Sequence, residues 1–286
     1  MTGRRVPARL LRSPTGALGV ALVGLIVGCA ALSLVWTPHD PTLVVPAERW
    51  APPSARHWFG TDGLGRDLFS QVLVGSRSTL VVSVLAVALA AVAGTALGVL
   101  AAVPPRWVAE PVAQLVDVLV ALPALILALV LAAALGGSAA VAVLAIGIAE
   151  AVVLARVVRA ELAAVRTRDF VLAAYAAGSS TPRLVRRHLL PNIAPVLVVQ
   201  LSLALSLAVL AESALAYLGL GTPPPTPSWG RLLNDLQASL TVHPGALVAP
   251  GAAVVATTLG FNLLGDGLRD VLDPRLGPAI GDAPKK

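Results

Sequence analysis

Three carboxylates interrupt the long apolar runs of this chain: Asp117, Glu150 and Glu212. An acid at mid-bilayer costs at least about 2.5–3.5 kcal/mol on insertion scales, so by default each faces protein or water. Asp117 stands within two turns of one end of its run and Glu212 near an end of its own, so both reach an interface. Glu150 lies nearest the middle and is the best candidate to line a pore or meet a buried partner; a proton-coupled carrier would use it. Asp62, Arg66 and Asp67, set among the turn-forming Gly60, Gly63 and Gly65, are spaced to pair locally, and a structural cap suits them better than substrate contact. Arg183, Arg186 and Arg187 share one helix face by their three- and four-residue spacing. They suit either anionic lipid headgroups or an acidic partner groove.

Catalytic patterns are missing. There is no GxxxxGK(S/T) phosphate loop, no HExxH, no GxSxG and no Cys/His cluster, so ATP hydrolysis, a bound cofactor and a metal site are not expected of this chain. The single Cys29 excludes an internal disulfide and a CxxC site. Residues 1–29 have a basic start, an apolar run and a Gly-Cys pair, which mimics a lipoprotein leader. The apolar run continues past Cys29 to Trp36, which favours a first membrane span.

The elements that position these residues are membrane helices. The 286 residues are 57% hydrophobic and 13% charged, with mean hydropathy +0.84. A soluble domain carries about twice that charge, so a bilayer is the expected solvent. The net charge of +6 does not point to nucleic acid, because the basic residues sit between apolar runs and aromatics are only 4%. Six spans are expected, at 17–36, 79–103, 112–135, 139–156, 194–217 and 245–265, with Pro123 inside the third and Pro195 near the start of the fifth. Asp67 to Ser78 reads as a short interfacial helix leading into the second. Gly94 and Gly98 allow a close helix contact. Sixteen Lys and Arg fall in the class made of the N-terminus, Arg106, the 156–193 loop and the C-terminal stretch from Arg269 onward, against five in the other class. That asymmetry places both termini and the 157–193 loop in the cytoplasm, with 37–78 and 218–244 outside.

Within the loop, Asp169 to Asn192 reads as helix, turn, short helix, stop. Ala173 and Ala174 favour helix, and Gly178 ends it in the left-handed conformation. Thr181 reads as the next N-cap, Pro182 as the first helical position and Pro191 as the breaker. A two-helix element on the surface of a membrane protein suits a mechanical handle for a partner.

This segment resembles the cytoplasmic EAA coupling loop of bacterial ABC importer permeases. Ala173, Ala174, Gly178, Leu190 and Pro191 match that pattern, while Leu172 replaces its acid and His188 its branched residue. The His188 to Asn192 ending is similar to that of the dipeptide and oligopeptide branch. His57 to Leu80 resembles the Phe-Gly-Thr-Asp and Gly-Arg-Asp signature of that branch's C-type subunit. Asp117 with Pro123, Arg156 with Arg159, the run Glu212 to Trp229 with its stiff Pro223, Pro224, Pro225 and Pro227, and Asn262 to Leu276 follow in the expected order.

The resemblance covers about residues 57–276 and implies an all-α, six-span type I importer permease fold with a core at 79–276. It implies a pore-forming subunit that pairs with a homologous second permease, two cytoplasmic ATPases that bind ATP and Mg, and an extracytoplasmic substrate-binding protein. Ala173, Ala174, Gly178, Ser179, Thr181, Pro182, Arg183, His188 and Pro191 would carry the coupling to the ATPases. Peptides are the implied cargo, with nickel or other small solutes as alternatives within the family.

Overall fold

The computed structural model describes residues 10, 11 and 13–272. The expected cytoplasmic tail 277–286, most of the N-terminus 1–16, and Arg4, Arg5, Arg9, Arg12, Arg275, Lys285 and Lys286, on which the expected orientation partly rests, lie outside the described residues.

Long helices follow the apolar runs, and Pro195 and Pro250 are carried inside two of them near their N-terminal ends. The long helices are α1 (Pro14–Leu32), α2 (Leu68–Ala102), α5 (Ala139–Arg166), α8 (Leu190–Tyr217) and α10 (Gly245–Leu272). Between them lie α3 (Arg106–Val120), α4 (Ala124–Leu135), the short α6 (Asp169–Ala176) and α7 (Thr181–Leu184), and α9 (Trp229–Gln237). Among the described residues no strand forms; one isolated bridge joins Thr61 and Asp67. Five helices are long and apolar enough to cross a membrane, and α3 with α4 makes a sixth if the bent pair is one span. The outer faces carry many exposed large apolar side chains, among them Val92, Val118 and Val255, as a lipid solvent requires.

Several expected boundaries change. The second span has no separate interfacial helix: Asp67 caps a single helix that runs from Leu68 to Ala102, because its carboxylate accepts the Ser70 amide at 2.8 Å and no breaker follows. The third span is not one straight helix. Its halves meet at 91° across Ala121, Leu122 and Pro123. Pro123 has no N–H to continue the ladder and disfavours helical backbone at Leu122. The first span ends at Leu32 rather than Trp36, with Cys29 half-buried in its last turn. The Pro-rich run also differs from the extended rod expected: it turns at Pro224 and Pro225 and returns the chain to the bundle at Trp229.

The bundle is held by small residues. α2 lies along α5, and a Cβ on Gly94 would sit 2.7 Å from the Ala151 carbonyl oxygen, one on Gly98 2.5 Å from Val158 Cβ. Contact this close is possible only without a side chain, as the Gly-x-x-x-Gly spacing predicts. Ala86, Ala132, Ala145 and Ala208, from α2, α4, α5 and α8, fill the central core with Ile146 and Leu215. A second core joins α1, α2, α8, α9 and α10 through Ile26, Leu80, Val209, Trp229 and Phe261. Trp229 is 1% exposed and donates its Nε1–H to the Val72 carbonyl oxygen at 2.9 Å, which anchors α9 against α2.

Candidate functional site

At one end of the bundle α6 and α7 form a folded knuckle. Gly178 sits at φ +80°, its N–H donates to the Tyr175 carbonyl and the Ser179 N–H to the Ala174 carbonyl. That is a Schellman closure with Gly at the left-handed position, the turn expected from the sequence. The next cap is Ser180, not Thr181. Ser180 has extended backbone and its carbonyl accepts the Leu184 N–H at 2.9 Å, so Thr181 and Pro182 occupy the first two helical positions.

Pro191 does not stop the chain. A π-helical turn, Val185–Leu189, lets the Leu190 N–H reach back to Val185. The widened turn accommodates the proline ring in the first turn of α8. The Asn192 side chain donates to the His188 carbonyl oxygen at 2.6 Å.

The knuckle is bolted to the long helices from below. Val171, Leu184, Leu189 and Ile193 are buried against Leu154, Val158 and Leu162 of α5, and Ala174 packs at the rim. Above, Phe170, Leu172 and Tyr175 expose apolar surface beside exposed Ala173. Arg183, Arg186 and Arg187 are exposed and, with Ser180 and Pro182, line one open cleft of about 480 Å³. Ala173, Gly178, Pro182 and the arginine triad are all exposed, and Ser179 and His188 are half-buried.

The three intramembrane acids are separated. Asp117 on α3 meets Arg159 on α5 through two hydrogen bonds, Nη1 at 3.1 Å and Nη2 at 2.9 Å. Glu150 is 6% exposed and borders an apolar cavity of about 90 Å³ with Ala124, Ala128, Leu207 and Ala211. Glu212 is completely buried, and neither carboxylate oxygen has a hydrogen-bond partner within reach of good geometry, although the Thr79 and Ser228 hydroxyls stand beside it. The expectation that Glu212 reaches the interface is therefore wrong. α9 and the Pro-rich return fold over the end of α8, and Ser213 closes against Gly230.

At the opposite end the Asp62, Arg66 and Asp67 cap is local, as expected. Asp62 accepts the Leu64 and Arg66 amides at 2.8 and 2.9 Å, the Arg66 Nε–H at 2.7 Å and the Gln71 amide at 3.1 Å. Arg66 extends the network to Asp235 of α9 at 3.6 Å. Asp67 pairs with His57 at 2.8 Å. Sequence reading passed over His39, Glu48 and Trp50, which this cap recruits from the preceding segment; the turn glycines that fold it back were the available signal. Beside His39, the Thr42 hydroxyl and then its amide hold the exposed Asp40 carboxyl below its ordinary range.

A bundle of five or six helices able to cross a membrane, with a helical knuckle at one end and a polar cap at the other, has the architecture of a multi-pass membrane protein. Residues 94–278 match the family described as binding-protein-dependent transport system inner membrane component, and the chain belongs to that family. It is 35% identical over 268 residues to the dipeptide transport system permease protein DppC of Alkalihalophilus pseudofirmus, covering 94% of this chain and 88% of the relative. The probable D,D-dipeptide transport system permease protein DdpC of Escherichia coli is 38% identical over 257 residues, 88% and 86% of the two chains. A putative peptide permease protein of Brucella suis is 36% identical over 269 residues, 93% and 89%.

Proposed function

We propose that this chain is the C-type pore-forming subunit of an ATP-driven peptide importer. Its partners are a homologous second permease, two ATPases that carry ATP and Mg, an extracytoplasmic binding protein, and the surrounding lipid. The observation that carries the reading is the knuckle: Phe170, Leu172 and Tyr175 are exposed on α6, Arg183, Arg186 and Arg187 line an open cleft on the turns that follow, and the buried side of these elements packs onto α5 and α8. Exposed aromatic side chains together with Arg are the residue types enriched where one protein docks into another. The charge asymmetry of the loops supports a cytoplasmic knuckle, cytoplasmic termini and an external 37–78 segment. The peptide cargo rests on the relatives' names.

In this mechanism the ATPases close on ATP and carry the knuckle with them. α5 and α8 follow, and the pore exchanges inward-facing for outward-facing access. Coupling requires that the knuckle bind its partner differently in the two states.

Tagged purification in mild detergent, with mass spectrometry of the copurifying chains, tests the composition. A second permease and ATP-binding subunits are expected, and the cargo is then sought on the copurifying binding protein with peptides and Ni2+ as probes. Recovery of this chain alone, under conditions that keep related complexes intact, would favour a proton-coupled carrier acting through Glu150.

A further inference from the structure

His39, His57 and Asp67 come from three separate stretches and meet at the cap, each offering one ligand atom, all within 4.8 Å of one another. His57 Nδ1 lies 2.8 Å from Asp67 Oδ1, and His39 Nδ1 lies 3.8 Å from Asp67 Oδ2. The two imidazole centroids lie 4.7 Å apart with their planes tilted by 31°. Ligand atoms about 2.0–2.2 Å from a tetrahedral zinc ion stand about 3.4 Å from one another, so the three atoms need shift by less than an ångström or so to close on one ion.

We propose that His39, His57 and Asp67 bind one divalent transition-metal ion of the zinc class at this cap. Three observations converge on it. His39 Nδ1 and His57 Nε2 are buried without a hydrogen-bond partner, which a folded protein seldom tolerates. A metal on His39 Nδ1 satisfies the first.

The second atom has its own answer. With His57 Nδ1 on the metal, its Nε2 carries the proton and faces Glu48 Oε2 at 3.3 Å. A small turn of the ring makes this approach the carboxylate–histidine–metal relay that fixes the tautomer of a ligating imidazole. Glu48 is held in turn by Arg56.

The third observation is preorganisation. Asp67 Oδ2 accepts the Ser70 amide at 2.8 Å, and Ser70 Oγ accepts the His39 amide at 3.1 Å. The Ser54 hydroxyl accepts the His57 amide at 3.1 Å. The ligands are thus tied to the first turn of α2 before any ion arrives. Two imidazoles and a carboxylate select zinc, nickel or copper over magnesium and calcium, which want oxygen alone. Asp67 and Glu48 together balance the ion's charge. The ion would pin the segment that follows α1 onto the start of α2. None of this depends on the transport reading.

The test uses the full chain with whatever copurifies, without a histidine tag, stripped with EDTA and titrated with Zn2+ by calorimetry and with Co2+ by visible absorption. One Zn2+ per chain and tetrahedral Co2+ bands are expected, with Zn2+ raising the melting temperature. Asp67→Asn keeps an N-cap acceptor but loses the carboxylate, and His39→Asn alters a half-exposed side chain. Each should weaken zinc binding well over tenfold and abolish the thermal shift, while the metal-free His39→Asn chain melts as before. Glu48→Gln should cost about tenfold. His188→Asn and His243→Asn, the remaining histidines, should change nothing. Absence of saturable zinc binding, or binding that survives both His39→Asn and Asp67→Asn, overturns the proposal.

Discussion

Arg159 grips Asp117 with both terminal guanidinium nitrogens, at 3.1 and 2.9 Å. The pair links α5 to α3 close to the 91° bend at Pro123 and so fixes where that bend sits against the bundle. Both groups keep some solvent access, which limits the strength of the pair to about 1 kcal/mol. Arg159→Lys loses the bidentate fork. A drop of a few degrees in detergent melting temperature is expected for it and for Asp117→Asn, with recovery in the charge-swapped double variant. Equal stability of all three forms would remove the link.

Gly178 tests the coupling surface with little packing change. A Cβ there meets nothing within 4 Å, but φ +80° strains any L side chain. The strain is about 1–2 kcal/mol and falls on the Schellman turn alone. Gly178→Leu should insert and melt nearly as wild type while ATP-driven uptake falls more than tenfold, and Gly178→Asn should retain most of it because Asn tolerates this conformation. Normal uptake by Gly178→Leu removes the coupling assignment.

Gly98→Leu should break the α2–α5 contact, since its Cβ alone would lie 2.5 Å from Val158 Cβ. Overpacking of this kind costs about 1–3 kcal/mol or more. Gly28→Leu, on α1 where nothing stands within 4 Å, is the matched control. Thermal unfolding of the two in one detergent should show a clear loss for the first and none for the second.

The two buried acids separate transport mechanisms. Glu150→Gln keeps the shape of its cavity, and ATP-driven uptake should stay within about twofold, since a carboxylate that only lines a pore is not a proton relay. Loss of uptake with an intact complex would favour the proton-coupled reading. Glu212→Gln should leave the melting temperature equal or higher, because it removes an acid buried without good partners.

The long helices were legible because an unbroken apolar run has one stable state in a bilayer. Gly94, Gly98 and Gly178 were legible because each is required by sterics. The bend at Pro123 was not, because a proline inside a span tells that a donor is missing and not how far the helix turns. Pro191 misled for the same reason: the π-helical turn before it depends on Leu184 and Leu189 both being buried against α5. The burial of Glu212 depended on a chain return 16 residues later, and the His39–His57–Asp67 cluster on a fold-back whose turns Gly60 and Gly65 mark without saying which earlier residues it meets.

Photo-cross-linking from Tyr175 and Arg186 in native membranes tests the docking claim most directly. Both side chains are exposed on the knuckle, and neither helps to fold it. Adducts with an ATP-binding subunit, changing in yield when ATP is trapped, are the expected result. Adducts with lipid only, or with no nucleotide-binding chain in an intact membrane that still imports, would contradict it.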